Sequence, residues 1–425
     1  MFQVTRRAWI GRALATLVVA GTLCWAPLAR AADEITIGFG MALTGGLAPV
    51  GKSALLAMQM WRDDVNAKGG LLGKQVKLIW YDDQSNPSTV PGIYTKLLDV
   101  DKVDFVVSGY ATNQVVPALP VVMNANKLIL GLFALDANGE FHYPKYFSML
   151  PTGSEPKIDF SKGFFEAAAH LNPKPKTLAI IGADAEFSKN AIDGARVNAK
   201  TYGLNIVYDK TYPFPPPPDL TSVVRAVQAA NADVVYIASY PPDSVGMVRA
   251  INEVGLKARL VGGGMVGLQI TAIKTQLGPM LNGFATYDWW VPIPKMQAFP
   301  GVMDFLKKYQ AKAPGEGVDP LGYYLPIFAY SYLQILGDSI AATKSMDQDK
   351  VADYIRANEF HTLAGDIRFG KNGEWDKPRV LMVQYHNIKG NDVDAFRTAD
   401  HEVVFYPPEY KTGDVTTPFA PEGKK

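Results

Sequence analysis

The sequence is short of cysteine, of histidine and of net charge, and each shortage removes a class of function. Its one cysteine, Cys24, falls in the N-terminal leader. The rest of the chain therefore has no disulfide or thiolate metal site and must be held by ordinary apolar cores. The five histidines, His142, His170, His361, His386 and His401, show no ligand spacing, which leaves them loop or surface roles. Formal charge is +1, and the leader holds Arg6, Arg7, Arg12 and Arg30 but no acid, so its removal leaves −3. That balance excludes a basic nucleic-acid reader. Beyond the leader no apolar run is long enough to span a bilayer.

Signatures of catalysis are missing as well. There is no GxSxG elbow, no HExxH and no Walker loop. Gly38 and Gly40 begin like a dinucleotide fingerprint, but Leu43 stands where the third glycine is needed. Asp63-Asp64 and Asp82-Asp83 are adjacent in sequence, so their side chains point to different faces and neither pair forms an acid/base dyad by adjacency. Gly262-Gly-Gly-Met-Val-Gly267 reads as backbone clearance at a strand-to-helix turn rather than as a phosphate cradle. No catalytic residue, metal site or cofactor is expected.

What the chain does have begins with an export leader over residues 1–31: a basic start, an apolar stretch from Ala13 to Ala26, and the small-x-small site Ala29-Arg-Ala31. Thr5-Arg-Arg-Ala-Trp-Ile10 resembles a twin-arginine motif, so both Tat and Sec export stay open. Leu23 before Cys24 argues against a lipid anchor. Roughly 390 residues follow, enough for two or three domains. Short β-branched runs at 34–40, 75–81, 104–108 and 127–132 alternate with helical patterns. A second series follows at 177–182, 204–208, 234–239 and 258–262. This alternation predicts an α/β fold with mostly parallel sheets in two lobes. Helices are expected near 298–312 and 320–342, and a β-rich tail at 367–370, 379–386 and 403–406. Tyr212-Pro-Phe-Pro-Pro-Pro-Pro-Asp219 reads as a stiff connector, with Asp219 capping a helix at 220–230, and Pro407–Lys425 as a poorly packed extension.

The segment Glu34-Ile-Thr-Ile-Gly-Phe-Gly-Met-Ala-Leu-Thr-Gly-Gly-Leu-Ala-Pro-Val-Gly51, with Asn66-Ala-Lys-Gly-Gly70 and Tyr81-Asp-Asp-Gln-Ser-Asn-Pro87, resembles the opening βαβ of periplasmic solute-binding proteins of ABC transporters, of the branched-chain amino-acid (leucine-binding-protein-like, type I) family. The resemblance extends over nearly all of the exported chain. It implies two Rossmann-like lobes with parallel sheets joined by a three-strand hinge. Lobe 1 would comprise 32–150 and 285–366, lobe 2 would comprise 151–284 and 367–405, and 406–425 would form a C-terminal extension. It also implies a non-enzymatic, monomeric periplasmic receptor that gives its solute to an inner-membrane ABC permease. A sensor signalling without transport on the same fold, and a periplasmic hydrolase, are the competing classes.

Ligands of open α/β sheets sit at the carboxyl ends of strands, and the loop Ser108-Gly-Tyr-Ala-Thr-Asn-Gln114 follows such a strand. By the resemblance Thr112, with Ala111 and Asn113 beside it, falls where the family binds a ligand carboxylate. Ala134 lies in the second ligand loop, where Phe133 and Leu135 replace the family's small and hydroxyl residues. Phe187 and Tyr240 match aromatic positions over the ligand side chain, and Trp289, Trp290, Tyr323 and Tyr324 bring rings to the hinge. Val50 stands where some members have an aromatic contact. The family's acid for a substrate ammonium would fall near Gly264, and no acid is present between Gly262 and Gly267. A buried ammonium without a counter-charge is costly. The expected solute is therefore a small carboxylate, aromatic or hydrophobic rather than an α-amino acid.

Overall fold

β-Branched and glycine-rich runs become the two sheets that position everything else. The computed structural model describes residues 34–420, so the leader lies outside the described residues. In the first layer β1 (Ile35–Met41) pairs in parallel with β2 (Val76–Asp82) and β3 (Phe105–Val106), in the order β2-β1-β3. Ser108 N–H donates to the Leu130 carbonyl and Ala111 N–H to the Leu132 carbonyl, which carries the layer on to β4 (Ile129–Gly131) and its parallel partner β5 (Tyr146–Ser148). The helices Ala48–Ala67 and Pro326–Thr343 pack together on this layer, burying Trp61, Phe328 and Tyr332.

The second layer is a seven-stranded sheet. Its strands in chain order are β6 (Thr177–Ala183), β7 (Asn205–Tyr212), β8 (Val234–Ser239), β9 (Leu260–Met265) and β10 (Ala285–Asp288). A separate hairpin of β11 (Glu359–Thr362) and β12 (Gly365–Arg368) precedes its last strands, β13 (Leu381–Tyr385) and β14 (Glu402–Tyr406). The spatial order is β14-β13-β10-β9-β8-β6-β7, parallel from β6 to β10 and antiparallel at β13 and β14. The central strands β1, β3, β6, β8 and β9 are almost wholly buried, as parallel strands covered on both faces should be, while the edge strands β2 and β7 are partly exposed. The parallel-dominated α/β class expected from the alternation is thus observed.

Three local expectations are corrected. The passage between layers set at 285 comes after Asp288, because Ala285 and Thr286 pair with Gly262 and Gly263 and all of β10 pairs with β13. The helix expected from 320 begins at Pro326, since proline is accommodated in a first helical turn, and Tyr323-Tyr324 lie before it. The segment after Pro407 is fastened rather than loose. Phe419 is buried edge-on against Phe284, with ring centroids 4.9 Å apart, and its N–H donates to the Arg259 carbonyl.

The triple glycine belongs to β9 itself. Gly262 sits at φ +137°, and a Cβ there would lie 1.7 Å from the Ala285 carbonyl oxygen of β10. Backbone clearance is its role, as the sequence suggested.

Candidate functional site

Seven strands of the two layers aim their carboxyl ends at one cavity. Tyr110, Ala111 and Thr112 reach it after β3, Phe133 and Leu135 after β4, Leu150 after β5, Phe187 after β6, Tyr240 after β8, and Val266 after β9. Tyr287 and Trp289 come from β10 and its end, and Tyr324 from the approach to the helix Pro326–Thr343. The space free of atoms is about 280 Å³, but the centre of a water-sized sphere has only about 20 Å³ to move in. The cavity as it stands has room for a water or two, so anything larger would fit only if its walls moved apart. Among the described residues, none that line it carries a charge, and seven of the twelve are aromatic.

Two backbone positions in the wall are strained. Ala111 has φ +83° and Phe133 φ +55°, a region that costs an L-residue, and a bulky aromatic most of all. The strain turns the Thr112 and Leu135 side chains toward the same space, and the Leu135 N–H donates to Thr112 Oγ1 at 2.9 Å. That bond uses one lone pair of the hydroxyl and leaves its proton to be donated.

Asn113 does not line the cavity; it ties the walls together. Its Oδ1 accepts from Tyr240 Oη at 2.7 Å and from the Phe187 N–H at 3.3 Å, joining the loop after β3 to two helix starts of the second layer. Asn190 adds a bond from its Nδ2 to the Leu135 carbonyl, 2.9 Å. The Tyr240 backbone is held in turn by Asp243, whose Oδ1 accepts the Tyr240 N–H at 3.0 Å and whose Oδ2 accepts from Tyr212 Oη at 2.5 Å. Burial pushes the Asp243 carboxyl up to about 6.

The polar content of the cavity is a chain of hydroxyls. Tyr324 Oη lies 3.2 Å from Tyr110 Oη and 3.2 Å from Tyr287 Oη. Burial holds all three phenols, and Tyr240, well above the ordinary tyrosine value, so they stay protonated. Trp289 Nε1 is buried without a hydrogen-bond partner. Asp288 fixes the Trp289 backbone, its Oδ1 accepting the Trp289 N–H at 2.6 Å. Behind it Lys274 Nζ, buried, lies 2.8 Å from Glu402 and 3.9 Å from Asp288. Burial and the Glu402 charge raise the Asp288 carboxyl; burial alone would lower Lys274, but the two carboxylates raise it.

Of the residues singled out from the sequence, Ala111, Thr112, Phe187, Tyr240 and Trp289 meet at the cavity. Ala134 faces the first layer's interior, between Phe133 and Leu135, which do line it. Tyr323 packs at a tilt against Trp290 instead, ring centroids 4.9 Å apart, so its neighbour Tyr324 supplies the ring. Gly264 is covered: a Cβ there would meet Tyr236 Oη at 3.1 Å and Phe160 at 3.2 Å, so packing occupies the space an acid would need. Phe160 sits behind Phe187, Tyr287 and Trp289 with ring centroids 4.9–6.0 Å away. Tyr110 and Tyr287 were missed, although Tyr287 lies in β10 only two residues before Trp289, which was singled out. No grouping of His, Cys, Asp or Glu among the described residues could hold a metal ion, and no described helix is long and apolar enough to cross a membrane.

Comparison with known proteins agrees with this architecture. The family model of the periplasmic binding proteins matches residues 34–385. The chain is 26% identical to the leucine-, isoleucine-, valine-, threonine- and alanine-binding protein of Pseudomonas aeruginosa, covering 92% of this chain and 97% of the relative. Its fold is similar to that of the branched-chain amino acid transporter substrate binding protein LivJ from Streptococcus pneumoniae in complex with isoleucine, with a TM-score of 0.72 at 18% identity over 84% and 98% of the two chains. A solute binding protein of an ABC transporter from R. palustris in complex with benzoate is equally similar, with a TM-score of 0.71 at 16% identity over 92% and 99%.

Proposed function

This chain belongs to the periplasmic binding protein family, and from that premise we propose that it is the exported receptor of an ABC uptake transporter. It captures a small carboxylated solute between its layers, an aromatic or hydrophobic acid in preference to an α-amino acid, and presents it to an inner-membrane permease. The observation that carries this reading is the cavity wall itself, rings and hydroxyls with no acid among the described lining residues. An α-ammonium closed into that wall would lose its hydration with no counter-charge to replace it. A carboxylate needs only donors, and the Thr112 hydroxyl has one to give. Similar structures carry isoleucine in one case and benzoate in another, so the fold accommodates either kind of solute.

Thermal denaturation of the protein freed of its leader tests this. A monocyclic aromatic acid at a hundred times its Kd should stabilise the fold by about 2.7 kcal/mol. Stabilisation by leucine-like amino acids alone would overturn the reading.

A further inference from the structure

Three hydrogen-bond donors on residues that line the cavity are unspent, and they differ in kind. Thr112 Oγ1 already accepts the Leu135 N–H, so what it turns to a ligand is its proton. Trp289 Nε1, buried in the opposite layer's wall, has no partner and can only donate. A buried indole N–H ordinarily finds an acceptor. The third donor is in the phenol chain: three hydroxyls bring three protons to two contacts, so one proton is left over whichever way each contact runs. Both contacts, at 3.2 Å, are longer than the usual O–H···O distance of about 2.7–2.8 Å. Phenol oxygens also keep lone pairs free.

Resting on the function proposed above, we propose that the solute is a hydroxylated aromatic carboxylate, a phenolic acid. Its carboxylate faces the Thr112 loop, and its ring hydroxyl is received by Trp289 Nε1 and the Tyr110–Tyr324–Tyr287 hydroxyls. A carboxylate has acceptors only, so it belongs where the wall offers donors. A hydroxyl both donates and accepts, and the phenol chain is the part of the wall that does both. Trp289 Nε1 gives that hydroxyl oxygen a second bond, while Phe133, Phe187 and Tyr240 enclose the ring. Tyr110 and Tyr324 come from one layer and Tyr287 and Trp289 from the other, so the ligand hydroxyl lies where the layers meet. Trp289 and Tyr324 are then the residues that separate hydroxylated from plain aromatic acids.

Isothermal titration of the protein with benzoate, 3-hydroxybenzoate, 4-hydroxybenzoate and leucine, repeated on Trp289→Phe and Tyr324→Phe, decides the matter. At least one hydroxybenzoate should bind about tenfold or more tighter than benzoate, because a site built for a hydroxyl penalises its absence. Either substitution should weaken the hydroxybenzoate more than benzoate and so remove most of that advantage. Two variants guard against one failing to fold, which circular dichroism checks. Equal affinity for benzoate and both hydroxybenzoates, or equal weakening of all acids by both variants, overturns the hydroxyl assignment while sparing the carboxylate reading. Binding of leucine with no aromatic acid overturns both.

Discussion

Glu374 shows how far one side chain can tie this fold to pH. It is 2% exposed, its Oε2 has no partner, and burial pushes its carboxyl from 4.5 up to about 8, with Asp136 adding to the rise and Ser148 opposing it. Between those two values the folded protein holds a proton that the unfolded chain releases, so this residue lowers stability progressively as pH rises from about 4.5 to 8, and fully above that. Replacing Glu374 with Gln should therefore raise the melting temperature above pH 8 and leave it unchanged below pH 4.5. A gain that was the same at every pH would show that shape, not charge, was at issue. At this same scale the cavity was partly legible. Thr112 and Tyr240 followed expected strands in the sequence, whereas Phe187 and Trp289 were singled out through the family resemblance. Tyr110 and Leu150 did not stand out, because nothing in a linear chain says which ring of a loop turns inward.

Most strands were legible, but β5, β10 and β11 were not among those expected, and the other errors have local causes. β9 shows the finest link between sequence and element: three glycines let it lie against β10, with Gly262 at φ +137° and the Ala285 oxygen where a side chain would begin. Gly262→Ala should cost about 3 kcal/mol or more, combining a strained φ with overpacking, and chemical denaturation would measure it; a loss below about 1 kcal/mol would mean that β10 moves aside freely. The choice between Tyr323 and Tyr324 failed for a different reason. Both precede Pro326, outside the helix, so helical phase could not say which faces the cavity.

For the whole molecule, direct bonds hold the two layers together. Asp319, on the loop before the helix Pro326–Thr343, accepts the Thr271 N–H and Oγ1–H, both at 2.9 Å, while its own N–H donates to Ser53 Oγ at 3.2 Å. Thr271 opens a helix of the second layer and Ser53 lies in a helix of the first. Asp319→Ala should depopulate the closed arrangement and weaken solute binding about tenfold, since the apparent affinity scales with the closed fraction. Small-angle scattering should then show a larger radius of gyration without solute. Unchanged affinity and radius would rule out the latch.

The sequence by itself determined the α/β class, most of the succession of strands along the chain and the family, because periodicity, turn chemistry and the opening βαβ are local properties of the chain. Only the tertiary structure decided the chemistry of the cavity. Three phenols within hydrogen-bonding reach, an unpartnered indole and the filled space at Gly264 arise from residues as far apart as Tyr110 and Tyr324, and distance along a chain carries no record of distance in space.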